Sequence, residues 1–398
     1  MTETAITTNL PSTPLALLLE SEAARAGSPV APLAAYCGVL SPRVLDASER
    51  EMAALVAGAG VHDLGWLRRL AVRGEDRFRW LNGMVTNTVI GLGANAGAWN
   101  LALNAQGRIQ GDLYVWREGS GSRGPHGQVF VRGVQSENDT LELEIAAGQM
   151  EKLLAHLDRF IVMDDVELVR LTGETALGLT GPLAGELLGR LGLPALPEAL
   201  TSARAEWKGL ALRIVRGYGV LAERYELWVD AAEIAALWKG LIEAGATPVG
   251  TASLEALRIA EGIPAYGVDM VEQDLPQETS QLRALHYTKG CYLGQEIVER
   301  VRARGSVHRR LQRLEFDGPL PAAGTELKFQ NSAGVEAAAG EITSATELSL
   351  AEGNRRFGLG MIREEAEVRS QPFTYTAGAA TGAARVLTAA HNLDGAQS

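Results

Sequence analysis

Three things are scarce in this chain: cysteine, long apolar runs and positive charge. Its 398 residues include only Cys37 and Cys291. Two thiols so far apart argue against a disulfide framework, and a reducing cytoplasm suits the chain best. They also fall short of the four thiolates that hold an ordinary iron–sulfur cluster, and the sequence points to no resident metal. No apolar run approaches the roughly 20 residues that cross a bilayer, so no membrane partner is expected. Met1-Thr2-Glu3-Thr4-Ala5-Ile6 lacks the basic start and apolar centre of a signal peptide. A formal net charge of −11 argues against bulk binding of nucleic acid, which requires an excess of Lys and Arg to release counterions.

What is present is the composition of a soluble globular protein, 46% hydrophobic and 21% charged, in a chain long enough for two or three domains. Residues 1–30 read as a mobile leader with a short helix over 15–24. Helix patterns follow at 49–57 and from Glu75 onward, where Phe78, Leu81 and Met84 share one face. Residues 99–103 and 111–116 read as strands joined by a turn at 104–107, and 128–131 as a further strand. A helix is predicted over 140–160, with Leu143, Met150, Leu153, Leu154 and Leu157 as its stripe. Strands at 167–171 and 176–180 follow. From about Pro182 a similar order begins again: a helix over 184–191, strands at 211–215 and 225–229, and a helix over 231–244. The expected architecture is α+β, with two related halves (31–180 and 181–309). A small all-β domain follows at 310–373, and an Ala-, Gly- and Thr-rich disordered tail at 374–398.

The densest chemistry lies in Lys289-Gly290-Cys291-Tyr292-Leu293-Gly294-Gln295-Glu296. Its glycines allow a tight turn or a close backbone approach. A lysine two residues from a cysteine favours the thiolate, and Cys291 is the candidate reactive thiol. The alternative is that Cys291 is inert packing. No histidine stands near enough in sequence to suggest a Cys–His hydrolase. The basic stretch that follows, Arg300 to Arg310, reads either as a solvated face or as a surface for a polyanion. Cys37, beside the leader, reads as packing.

The octapeptide resembles the K-G-C-[YF]-x-G-Q-E signature of the YgfZ family, folate-binding relatives of the glycine-cleavage T-protein. Three further segments resemble family patterns in the same order: Asn104 to Leu113 (N-x-x-G-R-x-x-x-D-L), Arg258 to Asp269 (R-x-x-x-G-x-P-x-x-G-x-D) and Leu275-Pro276-Gln277-Glu278 (L-P-Q-E). The resemblance implies two α+β halves around a central cavity, followed by a small barrel-like domain. It implies tetrahydrofolate or a derivative as ligand, with iron–sulfur client enzymes or assembly proteins as partners and a link to tRNA modification.

On this resemblance Asp112 and Glu226 are the candidate partners of a pterin ring, and Lys289 and Arg300 of a glutamate tail. Each has a plainer alternative. Asp112 reads equally as a strand-entry acid, Glu226 as the polar face of an alternating strand, and Lys289 as half of a salt bridge. Glu296 reads as an acceptor that holds its own turn, and Arg258 as an internal partner of Glu261 or Asp269. At the place matching Gly111-Asp112 the T-protein carries two consecutive acids. Loss of the first argues against aminomethyl transfer. The alternatives to a folate-binding accessory role are therefore an aminomethyltransferase of the T-protein type and an RNA-binding module.

Overall fold

A computed structural model describes residues 10–119, 139–305, 307–350, 353–368 and 372–387. Strands β1 (Leu33–Tyr36) and β2 (Val39–Pro42) form a hairpin. Eleven strands build the large sheet: β3 (Gly60–Asp63), β4 (Leu67–Arg73), β5 (Ala96–Leu103), β6 (Ile109–Glu118), β7 (Thr140–Ala146), β8 (Glu167–Leu171), β9 (Glu174–Thr180), β10 (Thr201–Trp207), β11 (Leu210–Arg216), β12 (Arg224–Asp230) and β13 (Thr247–Val249). Their spatial order is β13-β3-β9-β12-β11-β10-β5-β6-β7-β4-β8. Helices α1 (Pro14–Ala26), α2 (Ser48–Ala57), α3 (Arg77–Met84), α4 (Ala147–Asp158), α5 (Ala184–Arg190) and α6 (Ile234–Glu243) accompany these strands, and α7 (Thr251–Glu261) and α8 (Gln295–Arg304) follow. The six strands β14 (Arg309–Asp317), β15 (Glu326–Gln330), β16 (Glu336–Leu350), β17 (Gly353–Arg363), β18 (Phe373–Ala377) and β19 (Ala380–Val386) close a barrel in the order β14-β17-β16-β15-β18-β19. The fold is thus mixed α+β with a small barrel near its C-terminal end.

The chain divides into two compact units, Met1–Asn100 with Asp112–Ser253, and Leu101–Gly111 with Leu254–Ser398. Neither cut falls at 180/181 or 309/310, where sequence patterning places boundaries. The reason lies in strand pairing. All seven residues of β9 are in register with β12, so the backbone groups on the two sides of residue 180 satisfy one another in a single sheet.

In the first unit, side chains alternate across each strand. On β12, Tyr225, Leu227 and Val229 enter an apolar core shared with Leu15, Ala184, Leu187, Leu237 and Leu241 from the helices. Arg224, Glu226 and Trp228 take the opposite face of the strand. That second face carries the candidate site.

Three expectations are corrected. Residues 140–160 are not one helix: β7 occupies 140–146 and α4 begins at Ala147. Leu141-Glu142-Leu143-Glu144-Ile145 has the two-residue period of a strand, and all five residues are buried. Within the expected leader, α1 is anchored. Thr13 caps it by accepting from the Ala16 N–H and donates its hydroxyl to Asp63, 2.5 Å away, while Leu15 and Ala16 are fully buried. Within the expected tail, β18 and β19 complete the barrel, and Phe373 and Tyr375 lie in its core. The strand expected at 128–131 and the ends of leader and tail (1–9 and 388–398) lie outside the described residues.

Candidate functional site

The inner face of the large sheet gathers charge and aromatic surface in the first unit. On β6, Asp112, Tyr114, Trp116 and Glu118 alternate onto one side. Register sets Glu144 opposite Tyr114 and Glu142 opposite Trp116, and sets Arg69 of β4 opposite Glu144. On the other flank, Arg213 of β11 stands opposite Trp228, and Val215 opposite Glu226. Strands β4 and β7 are well separated from β11 and β12 in the order of the sheet, yet Arg69 of β4 lies against the Trp228 ring of β12 and Arg213 of β11 reaches Glu142 of β7. The sheet therefore curls, and its two flanks meet across the polar face.

The contacts there are specific. Arg213 pairs with Glu118 at 2.6 Å and Glu142 at 3.3 Å, and Arg69 pairs with Glu142 and with Glu174 at 2.7 Å. The Arg69 guanidinium lies 5.1 Å from the Trp228 ring, and that of Arg213 5.4 Å from the Trp116 ring. Each indole then donates to an acid: Trp116 Nε1 to Glu144 at 3.2 Å and Trp228 Nε1 to Glu226 at 2.9 Å. Burial, followed by repulsion from Arg213, pulls Arg69 down to about 10. Burial raises the carboxyls of both Glu144 and Glu226, and the neighbouring Glu226 charge raises Glu144 further.

Asp112 stands at the other end of an aromatic ladder. Trp99 Nε1 donates to its Oδ2 and Gln149 Nε2 to its Oδ1, each at 2.9 Å. Trp99 stacks on Tyr114 with centroids 6.5 Å apart, and Tyr114 on Trp116 at 6.2 Å. Trp99, Trp116 and Trp228 are buried, whereas Asp112, Tyr114 and Glu226 remain half-buried. A planar ring with N–H donors on one edge thus finds accessible acids and aromatic surface on one wall. Asp112 and Glu226, the candidates from sequence, both lie on this face, together with Arg69, Glu142, Glu144, Trp116, Arg213 and Trp228, which sequence reasoning did not single out. On β6, β7 and β12 the signal is alternation, with polar or indole side chains at every second place, whereas Arg69 and Arg213 sit among apolar same-face neighbours and carry no such signal.

The octapeptide belongs to the second unit. Gly294 precedes α8 at φ 81, and a Cβ there would lie 2.6 Å from the Asn104 carbonyl oxygen and 3.0 Å from Gly107 Cα. Its second glycine therefore lets the turn at 104–107 approach. Tyr292 is buried, and its N–H donates to Gln295 Oε1 at 3.2 Å. Cys291 is exposed. The Lys289 amine lies 5.1 Å from the Tyr292 ring, and burial pushes it down to about 7.

Two expectations shift here. Glu296 holds no turn; it is exposed and pairs with Arg300 one helical turn on. Three arginines of the basic stretch are paired with carboxylates, Arg300 with Glu296 among them. Arg302 pairs with Glu299 at 3.4 Å and lies over the Tyr287 ring, and Arg309 pairs with Asp274 at 2.8 Å and Glu278 at 3.3 Å.

The supporting motifs act as scaffold. Arg258 reaches Asp269 at 2.7 Å, the structural role expected of it, and also pairs with Glu255. Asp269 Oδ1 accepts from both Thr343 and Ser344 at 2.6 Å, beside a register shift that interrupts the alternation of β16. In Leu275-Pro276-Gln277-Glu278, Glu278 accepts from the Leu275 N–H at 2.8 Å. Among the described residues, no group of three or more His, Cys, Asp or Glu is arranged to hold a metal ion. Among them, too, no helix is long and apolar enough to cross a membrane.

Residues 34–289 match the family model for the GCVT N-terminal domain. An aminomethyltransferase of Rubrobacter xylanophilus is 29% identical over 300 residues, covering 70% of this chain and 74% of that protein. One of Nostoc sp. is 25% identical over 298 residues, covering 72% and 73%. Among solved structures, the glycine cleavage system aminomethyltransferase T from Bartonella henselae superposes with a TM-score of 0.79 at 18% identity, over 96% of this chain and 98% of that one. That likeness shows the fold.

Proposed function

The chain belongs to the GCVT N-terminal domain family, and from that premise we propose that it binds tetrahydrofolate or a close derivative on the polar face of the large sheet. The observation that carries this reading is the accessible Glu226, Asp112 and Tyr114 at the edge of a buried tryptophan–arginine layer. A pterin offers adjacent N–H donors on one edge to a carboxylate and a flat face to aromatic rings. We place the pterin edge at Glu226, with Asp112 holding Trp99 and Gln149 in position.

Within the family we assign the chain a YgfZ-like accessory role, in support of iron–sulfur enzyme maturation, rather than aminomethyl transfer. Two features support this. Gly111-Asp112 lacks the first of the T-protein's paired acids, and Lys289 to Glu296 resembles the YgfZ signature with Cys291 exposed. The names of the aminomethyltransferase relatives keep the transfer reading alive. Formation of methylene-tetrahydrofolate from an aminomethylated carrier protein would establish it.

The test is calorimetric titration of 5-formyl-tetrahydrofolate into the full chain. Wild type and Cys291→Ser are expected to bind saturably. Glu226→Gln removes a charged acceptor and is expected to weaken binding by about tenfold or more; Asp112→Ala is expected to weaken it through misplaced Trp99. Absence of wild-type binding would overturn the proposal.

A further inference from the structure

The two ligand-facing acids are held in different ways. Both oxygens of Asp112 accept from side chains, Oδ2 from Trp99 and Oδ1 from Gln149. Glu226 has no such help from its register partners. These are Val215 on β11 and Gly178 on β9, and neither carries a side-chain donor. Its donor comes instead from its own strand. Trp228 lies two residues on, and so on the same face, and its Nε1–H donates to Glu226 Oε2 at 2.9 Å. The other oxygen, Oε1, stands toward Gly217, where an added Cβ would lie 3.9 Å from it. The Gly217 N–H donates to the Arg224 carbonyl at 2.8 Å and does not compete for the acid.

Trp228 can hold Glu226 because it is itself held. Its ring is buried and packs with Leu64, Trp116, Ala176 and Val215. Ala176 is its register partner on β9, and that small side chain leaves room for the indole. The Arg69 guanidinium lies 5.1 Å from the ring, and Arg69 is anchored by Glu142 and, at 2.7 Å, by Glu174. A ring packed in this way, beside an anchored cation, keeps its N–H in one direction.

We propose that Trp228 is a positioning residue: its indole N–H takes Oε2 of Glu226, fixes the plane of the carboxylate and turns Oε1 to a ligand's donor edge in the space beside Gly217. The inference rests on the folate reading and deepens it. Each carboxylate oxygen has two lone pairs, so Oε2 still has one to offer. A heterocycle with two adjacent N–H groups bridges both oxygens only while the carboxylate plane is held. The site therefore favours a flat ring with a paired donor edge over a ligand with a single donor.

Trp228→Phe tests this, because it keeps an aromatic ring beside Arg69 and removes the donor. Its affinity for 5-formyl-tetrahydrofolate, titrated into the full chain, is expected to fall about tenfold. In a Glu226→Gln background the same change is expected to cost nothing further, since Trp228 acts through that carboxylate. Equal weakening in both backgrounds, or none in either, overturns the inference. A second measurement needs no change at Trp228. In proton–nitrogen spectra of the chain labelled at its seven tryptophans, one indole N–H signal is expected to move in Glu226→Gln. The same signal is expected to move when the folate saturates wild type. If no indole signal responds to Glu226→Gln, or if the responding signal ignores bound folate, the inference falls. A wild type whose indole responds to Glu226→Gln but which binds no reduced folate overturns the functional reading and leaves the indole–carboxylate contact standing.

Discussion

At the scale of single residues, environment decides what a side chain does. Lys289 is half-buried, and burial pushes its amine down to about 7 from 10.5. The folded state therefore favours the neutral amine. The unfolded chain binds more protons between the two values, so this contribution to stability grows as pH rises from about 7 to about 10.5 and is lost as pH falls. Partial exposure screens the effect and keeps its slope shallow. Urea midpoints measured across that window should rise more steeply for wild type than for Lys289→Met. Identical slopes would show that the amine is not desolvated in the folded chain. Lys289 was legible in the sequence through its motif, but its altered protonation was not, because desolvation depends on which residues fold over it. Glu144 was legible only as the polar side of an alternating strand, which carries no mark of the groups it will meet across the sheet.

At the scale of elements, spacing predicts type better than extent. The hairpin of β5 and β6 was readable from its alternation and from the turn at Asn104, whose Oδ1 accepts from the Gln106 and Arg108 N–H groups at 3.0 Å. Strand β7 was misread because Leu143 extends the stripe of Met150, Leu153 and Leu157, so a two-residue and a 3.6-residue period share one residue. Strand β9 shows a constraint no periodicity displays. A Cβ on Gly178 would lie 1.8 Å from the His62 ring, which is held by Thr180 Oγ1 at 2.9 Å. Gly178→Ala is expected to destabilise the chain by about 1–3 kcal/mol through overpacking. In denaturation midpoints, the double variant with His62→Ala should cost less than the sum of its parts. Strict additivity would mean that the ring and the strand do not compete for that space.

At the scale of the whole molecule, closure matters more than composition. The segment from 374 onward is Ala-, Gly- and Thr-rich, and on composition alone it reads as tail. Yet β18 pairs with both β15 and β19, and β19 with β14, closing the barrel around Phe316, Phe373 and Tyr375. Closure leaves no unpaired strand edge. Gly382 permits it, since a Cβ there would lie 2.3 Å from the Tyr375 ring. A chain ending at residue 371 is expected to lose the cooperative melting and protease resistance of everything beyond residue 309. Unchanged resistance would show that the other four strands hold without these two.

The sequence by itself determined the local features: turns, caps, most strands and the signature peptide from Lys289 to Glu296. Each of these depends on neighbours a few residues apart. Only the tertiary structure decided that Arg309 would be met by Asp274 and Glu278. Only it decided that Arg69 would lie against the Trp228 ring, and that the composition-poor end would close a barrel. Those outcomes follow from the curl of a sheet and the pairing of distant strands, which no short window of residues specifies.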